Sequence, residues 1–88
     1  MRSHQDPILL SAFAAEVRSR RDTQGRSQEE LAHACGLNRT FIAKLELGKT
    51  SPSLTTLFRL AEGLTVAPQE LVDSVQKRLL KEIALRGK

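Results

Sequence analysis

Residues 27–48 read SQEELAHACGLNRTFIAKLELG, and this stretch decides the fold, because it spells two short helices joined by a tight turn. Ser27 is a good N-cap, since its hydroxyl can accept from an orphan backbone N–H, and Glu30 three residues on completes a capping-box pattern. Leu31, Ala34 and Cys35 recur at i, i+3 and i+4, which predicts one apolar, buried face for the first of the two helices. Gly36 stops it, because glycine takes the left-handed conformation of a helix end at no steric cost, and Leu37 just beyond folds back onto the apolar face. Asn38 restarts the chain as a second N-cap. Ile42 and Leu45 then point inward, while Arg39, Thr40, Ala43 and Lys44 are left on the outward side. That outward face carries hydrogen-bond donors and no apolar bulk.

Working outward, residues 1–6 are short and polar, and a loose lead is expected. Pro7 can open a helix in which Ile8, Leu9, Ala12, Phe13 and Val17 recur at helical spacing, with Arg18, Arg20 and Arg21 in its last turns. It is expected to end near Asp22, and Thr23 to Arg26, with Gly25, makes the turn before Ser27. Residues 49–52 read as a loop, because a residue before proline is pushed away from helical geometry. Ser53 then caps a helix whose stripe is Leu54, Leu57, Phe58, Ala61 and Leu64, which assigns Phe58 to the core. Gly63 is a poor residue inside a helix. Pro68 starts a last helix with no breaker until Gly87. Its stripe of Leu71, Val72, Val75, Leu79, Leu80 and Ile83 is longer than closing one small core requires, so these six residues are assigned to a subunit contact; a helix folded back on the first would carry a similar stripe. The tail cations Lys77, Arg78, Lys81, Arg86 and Lys88 are read as a solvated face, partly balanced by Asp73 and Glu82.

An 88-residue chain with 40% hydrophobic and 27% charged residues is expected to form one small domain, residues 1–88, with a modest core. The formal net charge is +4, and it is concentrated: residues 18–59 hold eight Lys or Arg against four Asp or Glu, while the ends nearly cancel. A basic centre suits a polyanion partner. Cys35 is the only cysteine, so no internal disulfide can form, no cysteine-based metal site has enough ligands, and its inward place favours a small buried hydrophobe over a redox sensor. No stretch is long and apolar enough to span a membrane, and MRSHQDPILL lacks a signal-peptide core, so a cytoplasmic protein without membrane contact is expected.

The ordered run SQEELA, ACG and NRTFIAKLELGKTSPSLTTLFRLAEGL, within Phe13 to Val72, resembles the phage-repressor or XRE class of helix-turn-helix domains. The resemblance implies an all-α fold of five helices, here a compact repressor-like domain with its helix-turn-helix at 27–48 and an extended C-terminal helix at about 68–86. It implies that the second helix crosses the DNA backbone and the third enters the major groove. It further implies an ion pair between Arg21 and Glu46, joining the first helix to the third. Arg26 stands where such proteins usually carry an apolar residue, Leu47 where a basic or polar one is common, and Thr65 where glycine or asparagine often ends the fourth helix. In size and layout the chain is similar to the controller proteins of restriction-modification systems and to small regulators of mobile elements.

The functional expectation follows. Arg26, Lys49, Asn38, Phe41, Ser51 and Ser53 are candidates for the DNA backbone, with Gln28 at a helix N-terminus where amide donors favour a phosphate oxygen. Arg39, Thr40, Ala43 and Lys44 are candidates for base reading, Arg39 first, because its two parallel donors match guanine O6 and N7. Partners are double-stranded DNA and a second copy, giving a near-palindromic operator, with a contact to RNA polymerase left open; no small-molecule ligand, cofactor or metal is expected. His4 and His33 are far apart and carry no motif, and no catalytic residues are assigned. The rival reading is an antitoxin whose last helix binds a protein partner.

Overall fold

A computed structural model describes residues 5–87; His4 and Lys88, named above, lie outside the described residues. The described chain is all-α, with five helices: α1 Pro7–Thr23, α2 Gln28–Cys35, α3 Arg39–Glu46, α4 Leu54–Gly63 and α5 Pro68–Arg86. Pro7 does open α1, and Asp6 caps it, its carboxylate accepting from the N–H groups of Ile8 and Leu9 at 2.9 and 3.2 Å. The capping box at Ser27 is complete: Ser27 Oγ accepts from Glu30 N at 3.0 Å and Glu30 Oε1 from Ser27 N at 2.8 Å. Asn38 caps α3 through Thr40 N at 2.7 Å, and Ser53 caps α4 through Thr56 N at 3.1 Å.

The first four helices end alike. After α2, Leu37 N donates to Ala32 O at 2.8 Å and Gly36 N to His33 O at 3.2 Å, the pair of reverse bonds that closes a helix through one left-handed residue. Gly25 and Gly48 hold the same position after α1 and α3, and after α4 it is Thr65, with φ +57°. There Val66 N reaches Ala61 O and Thr65 N reaches Glu62 O, at 2.9 and 3.0 Å, so the atypical residue makes the ordinary turn. A β-branched side chain in this conformation costs on the order of 1 to 2 kcal/mol, of which the extra unfolded-state freedom of glycine would give back about 0.5 to 1. Thr65→Gly should therefore stabilise the fold by about 0.5 to 1 kcal/mol, raising Tm by about 2 to 8 °C in a thermal melt. An unchanged or lower Tm would show that the left-handed turn carries no such strain.

The core is built from Val17 of α1, Leu31 of α2, Ile42 and Leu45 of α3, Leu60 and Leu64 at the end of α4, and Leu71 of α5, all fully buried. α1 packs along α5 and against α3, α2 against α3 and α4, and α4 against α5. Three expectations are corrected. On α2 the buried small residue is Ala32, while Ala34 faces solvent, because α3 and α4 both press on the side that Leu31, Ala32 and Cys35 share. On α4, Leu60 is core while Phe58 and Leu54 are 54% and 72% exposed: the apolar arc of α4 is wider than the neighbouring helices cover. On α5, Leu71 and Val75, assigned to a subunit contact, are 0% and 5% exposed within one chain and belong to its own core.

Gly63 now has a reason. A Cβ there would collide with Cys35 Sγ and stand 3.0 Å from Cys35 N, so the glycine lets α4 meet the end of α2 backbone to side chain. Cys35 is buried, and burial pushes its thiol pKa up.

Candidate nucleic-acid interface

The outward face of α3 is held from behind. Ile42 and Leu45 anchor it in the core, and Glu46, 3% exposed, ties its last turn to two other helices. Arg21 of α1 donates from Nε to Glu46 Oε2 at 2.7 Å and from Nη2 to Oε1 at 2.8 Å, the ion pair that the resemblance implied. Gln28 at the start of α2 adds Nε2 to the same Oε1 at 3.0 Å, and Arg18 Nη1 donates to the Glu46 backbone carbonyl at 3.0 Å. Burial pushes the Glu46 pKa up, but the hydrogen bonds from Arg21 and Gln28, with the charges of Arg21 and Arg18, outweigh it and hold the carboxyl below its ordinary value. The bond to Glu46 in turn raises the Arg21 pKa. One buried carboxylate thus fixes the mutual angles of α1, α2 and α3.

On the surface so fixed, Arg39, Thr40 and Lys44 are exposed and Ala43 is half-buried. Asn38 is exposed, its side-chain oxygen engaged by the cap of α3. Lys49, Ser51 and Ser53 are exposed in the segment that follows, Ser53 also donating to Thr56 Oγ1 at 3.0 Å. Phe41 is half-buried against the core. Leu47 is exposed, as its departure from the family pattern suggested. Arg26 is placed otherwise than expected: its Nη1 donates to Gly63 O at 2.5 Å and its carbonyl accepts from Arg21 at 2.8 Å, so it locks the α1–α2 turn to the end of α4. Gln24 does the same at Leu64 O, 2.8 Å away. The attraction is that of a cation and an amide for the carbonyl-rich, negative end of a helix.

The cations divide into those bonded within the chain and those left free. Arg18, Arg20, Arg21, Arg26, Arg59, Lys77, Arg78 and Arg86 all bond within the chain. Among the described residues, the side chains of Arg39, Lys44, Lys49 and Lys81 make no hydrogen bond or ion pair. Three of these four sit on α3 or just after it. Sequence reading missed the second buried carboxylate, Glu16, which binds Arg20 and Arg78 at 2.6 Å each; Arg78 is therefore no free member of a solvated tail. The i,i+4 spacing of Glu16 and Arg20 is a local signal for half of this cluster, but no spacing could have found Arg78, which is far from Glu16 in the chain.

A helix-turn-helix family profile matches residues 17–71. A hypothetical transcription factor of Neisseria meningitidis is 37% identical over 71 residues, 81% of this chain and 67% of that one. The control protein C.BamHI of Bacillus amyloliquefaciens is 37% identical over 62 residues, 69% of this chain and 76% of its own length. Among solved structures, the restriction-modification controller protein C.AhdI from Aeromonas hydrophila superposes with a TM-score of 0.68 at 37% identity, covering 70% of this chain and 94% of that one. The controller protein C.Esp1396I, solved as a tetramer on its natural 35 base-pair operator, superposes with a TM-score of 0.76 at 28% identity, covering 82% and 95%. No helix among the described residues is long and apolar enough to cross a membrane. With a matched profile over most of its length, five helices in the expected order and an anchored α3 whose cations are left free, the chain belongs to the helix-turn-helix family and is a DNA-binding transcription regulator of controller-protein type.

Proposed function

We propose that the chain acts as one DNA-binding unit that pairs with a second copy and reads a near-palindromic operator. The observation that carries this reading is the segregation of charge: the cations free to meet phosphate or base cluster on α3 and the loop behind it. Arg39, Thr40, Ala43 and Lys44 read base edges in the major groove, and Gln28, Asn38, Lys49, Ser51 and Ser53 hold the flanking phosphates. Pairing uses the apolar surface that the core leaves uncovered: Val72, Leu80 and Ile83 on α5, with half-buried Leu79 beside them. It extends to Leu54 and Phe58, which line a groove with Val66 and Pro68 one helical turn from Val72. A surface of that breadth suits an interface better than a single helical strip would. The solved complex of C.Esp1396I with its operator supports assembly of several copies on DNA.

The reading is tested by salt. Each neutralised phosphate contributes about −0.9 to the slope of log K against log salt, so a dimer using Arg39, Lys44 and Lys49 from both copies should show a slope no steeper than about −5. Lys49→Gln should weaken binding to all duplexes alike and make that slope shallower by about 2. An unchanged slope in fluorescence titrations would remove Lys49 from the phosphate contacts.

A further inference from the structure

The face of α5 that docks on the chain's own core ends early. Leu71 and Val75 are buried and Leu79 is half-covered, but beyond it only Glu82 is even partly shielded. Beneath these last turns α1 presents Ser11, Ala12 and Ala15, whose short side chains leave a cavity of about 150 Å³ against Arg78, Lys81, Glu82 and Leu85. Packing alone therefore does not fix the outer half of α5. A polar strap does. Glu16, buried on α1, accepts from Arg78 Nε at 2.6 Å through Oε1 and from Arg20 Nε at 2.6 Å through Oε2. Arg20 Nη2 reaches on to Ser74 Oγ at 3.0 Å. Two arginines, one from each helix, thus grip one carboxylate with directional, charge-assisted hydrogen bonds.

We infer that Glu16 is a positioning residue for dimer geometry: through Arg78 it sets the angle at which α5 presents Leu80 and Ile83 to the second copy, and with it the separation of the two α3 helices. This rests on the homodimer proposed above. Arg78 lies two residues before Leu80 and five before Ile83, so a small rotation of the helix at the strap moves both. The strap touches none of the residues assigned to DNA, so it acts on spacing and pairing and leaves the reading of one half-site alone.

The test is Arg78→Met, which leaves Glu16 its bond to Arg20 and so spares the buried carboxylate from isolation. Sedimentation equilibrium should show the dimer constant weakened roughly tenfold or more. Selection from palindromes of varied half-site separation should show the wild type confined to one spacing and the variant spread over its neighbours, with affinity for a single half-site unchanged. Arg78→Lys, which keeps a cation beside Glu16, should recover most of the dimer constant. A variant whose dimer constant and spacing preference both match the wild type would overturn the inference. A wild type that stays monomeric at every concentration would overturn the homodimer reading itself, and is read from the same experiment before any variant is compared.

Discussion

Arg21→Ala should lower the stability of the fold by about 3 to 5 kcal/mol at neutral pH, because it strips the main partner from a buried carboxylate. Glu46 is 3% exposed, and Arg21 supplies two of the three hydrogen bonds on its carboxylate. The pH dependence follows from the direction of the shift. In the wild type the folded Glu46 pKa lies below its unfolded value, so its contribution is fully present above the unfolded value and is lost as pH falls through the folded one. In Arg21→Ala the burial remains and the main opposing cation is gone, leaving only Arg18 nearby, so the pKa moves up and protonation relieves the fold. Urea unfolding should therefore show a deficit that is largest near pH 7 and narrows as pH drops below the ordinary carboxylate range. The pair is a fastener whose worth lies in being complete: Arg21→Met combined with Glu46→Leu should recover most of the loss. A deficit below about 1 kcal/mol, or one equal at both ends of the pH range, would contradict this account.

Arg39→Ala should leave stability within about 0.5 kcal/mol of the wild type, since the Arg39 side chain is exposed and makes no hydrogen bond or ion pair within the chain. Its effect should appear on DNA. A bidentate contact to guanine is worth about 1 to 3 kcal/mol of discrimination, so a dimer losing one in each half-site should lose about 2 to 6 kcal/mol against its operator and much less against random duplex. Competition with duplexes substituted at each position should then find one symmetric base pair at which the variant no longer distinguishes guanine. Equal relative affinities for wild type and variant at every position would take Arg39 out of base reading. The contrast with Arg26 is instructive: Arg26→Ala would release the end of α4 from the α1–α2 turn and is expected to register in the melt first.

How much of this was legible follows from the range of each interaction. Caps and stops were legible because they act over three or four residues: Ser27 with Glu30, Gly36 with Leu37, and Asn38 with Thr40 are all written locally. The buried pair Ile42 and Leu45 and the exposed set Arg39, Thr40 and Lys44 followed from helical period. What failed was the edge of each stripe. Periodicity states that Leu54, Leu57 and Phe58 share a side of α4, but the neighbours decide how far round that side is covered, and they stop before Phe58. Leu71 and Val75 likewise share a side with Val72, yet the packed helices bury only the first two and leave Val72 46% exposed. Charge misled in a related way. The eight Lys and Arg of residues 18–59 were counted as one basic centre, whereas five of them, Arg18, Arg20, Arg21, Arg26 and Arg59, are bonded inside the fold. Apart from Glu16, four residues before Arg20, the partners are distant in sequence, as Gly63 is from Arg26. Gly63 did leave a trace: a glycine in the middle of an apolar stripe costs helix stability, and the close approach of Cys35 is the reason it is there.

The central claim is that two copies present their α3 helices to successive turns of one duplex. Selection of bound sequences from a random duplex pool with the wild-type protein tests it most directly. The account predicts a near-palindrome whose half-sites lie about 34 to 36 Å apart along the helix. Recovery of no motif, with binding that depends only on salt, would contradict it.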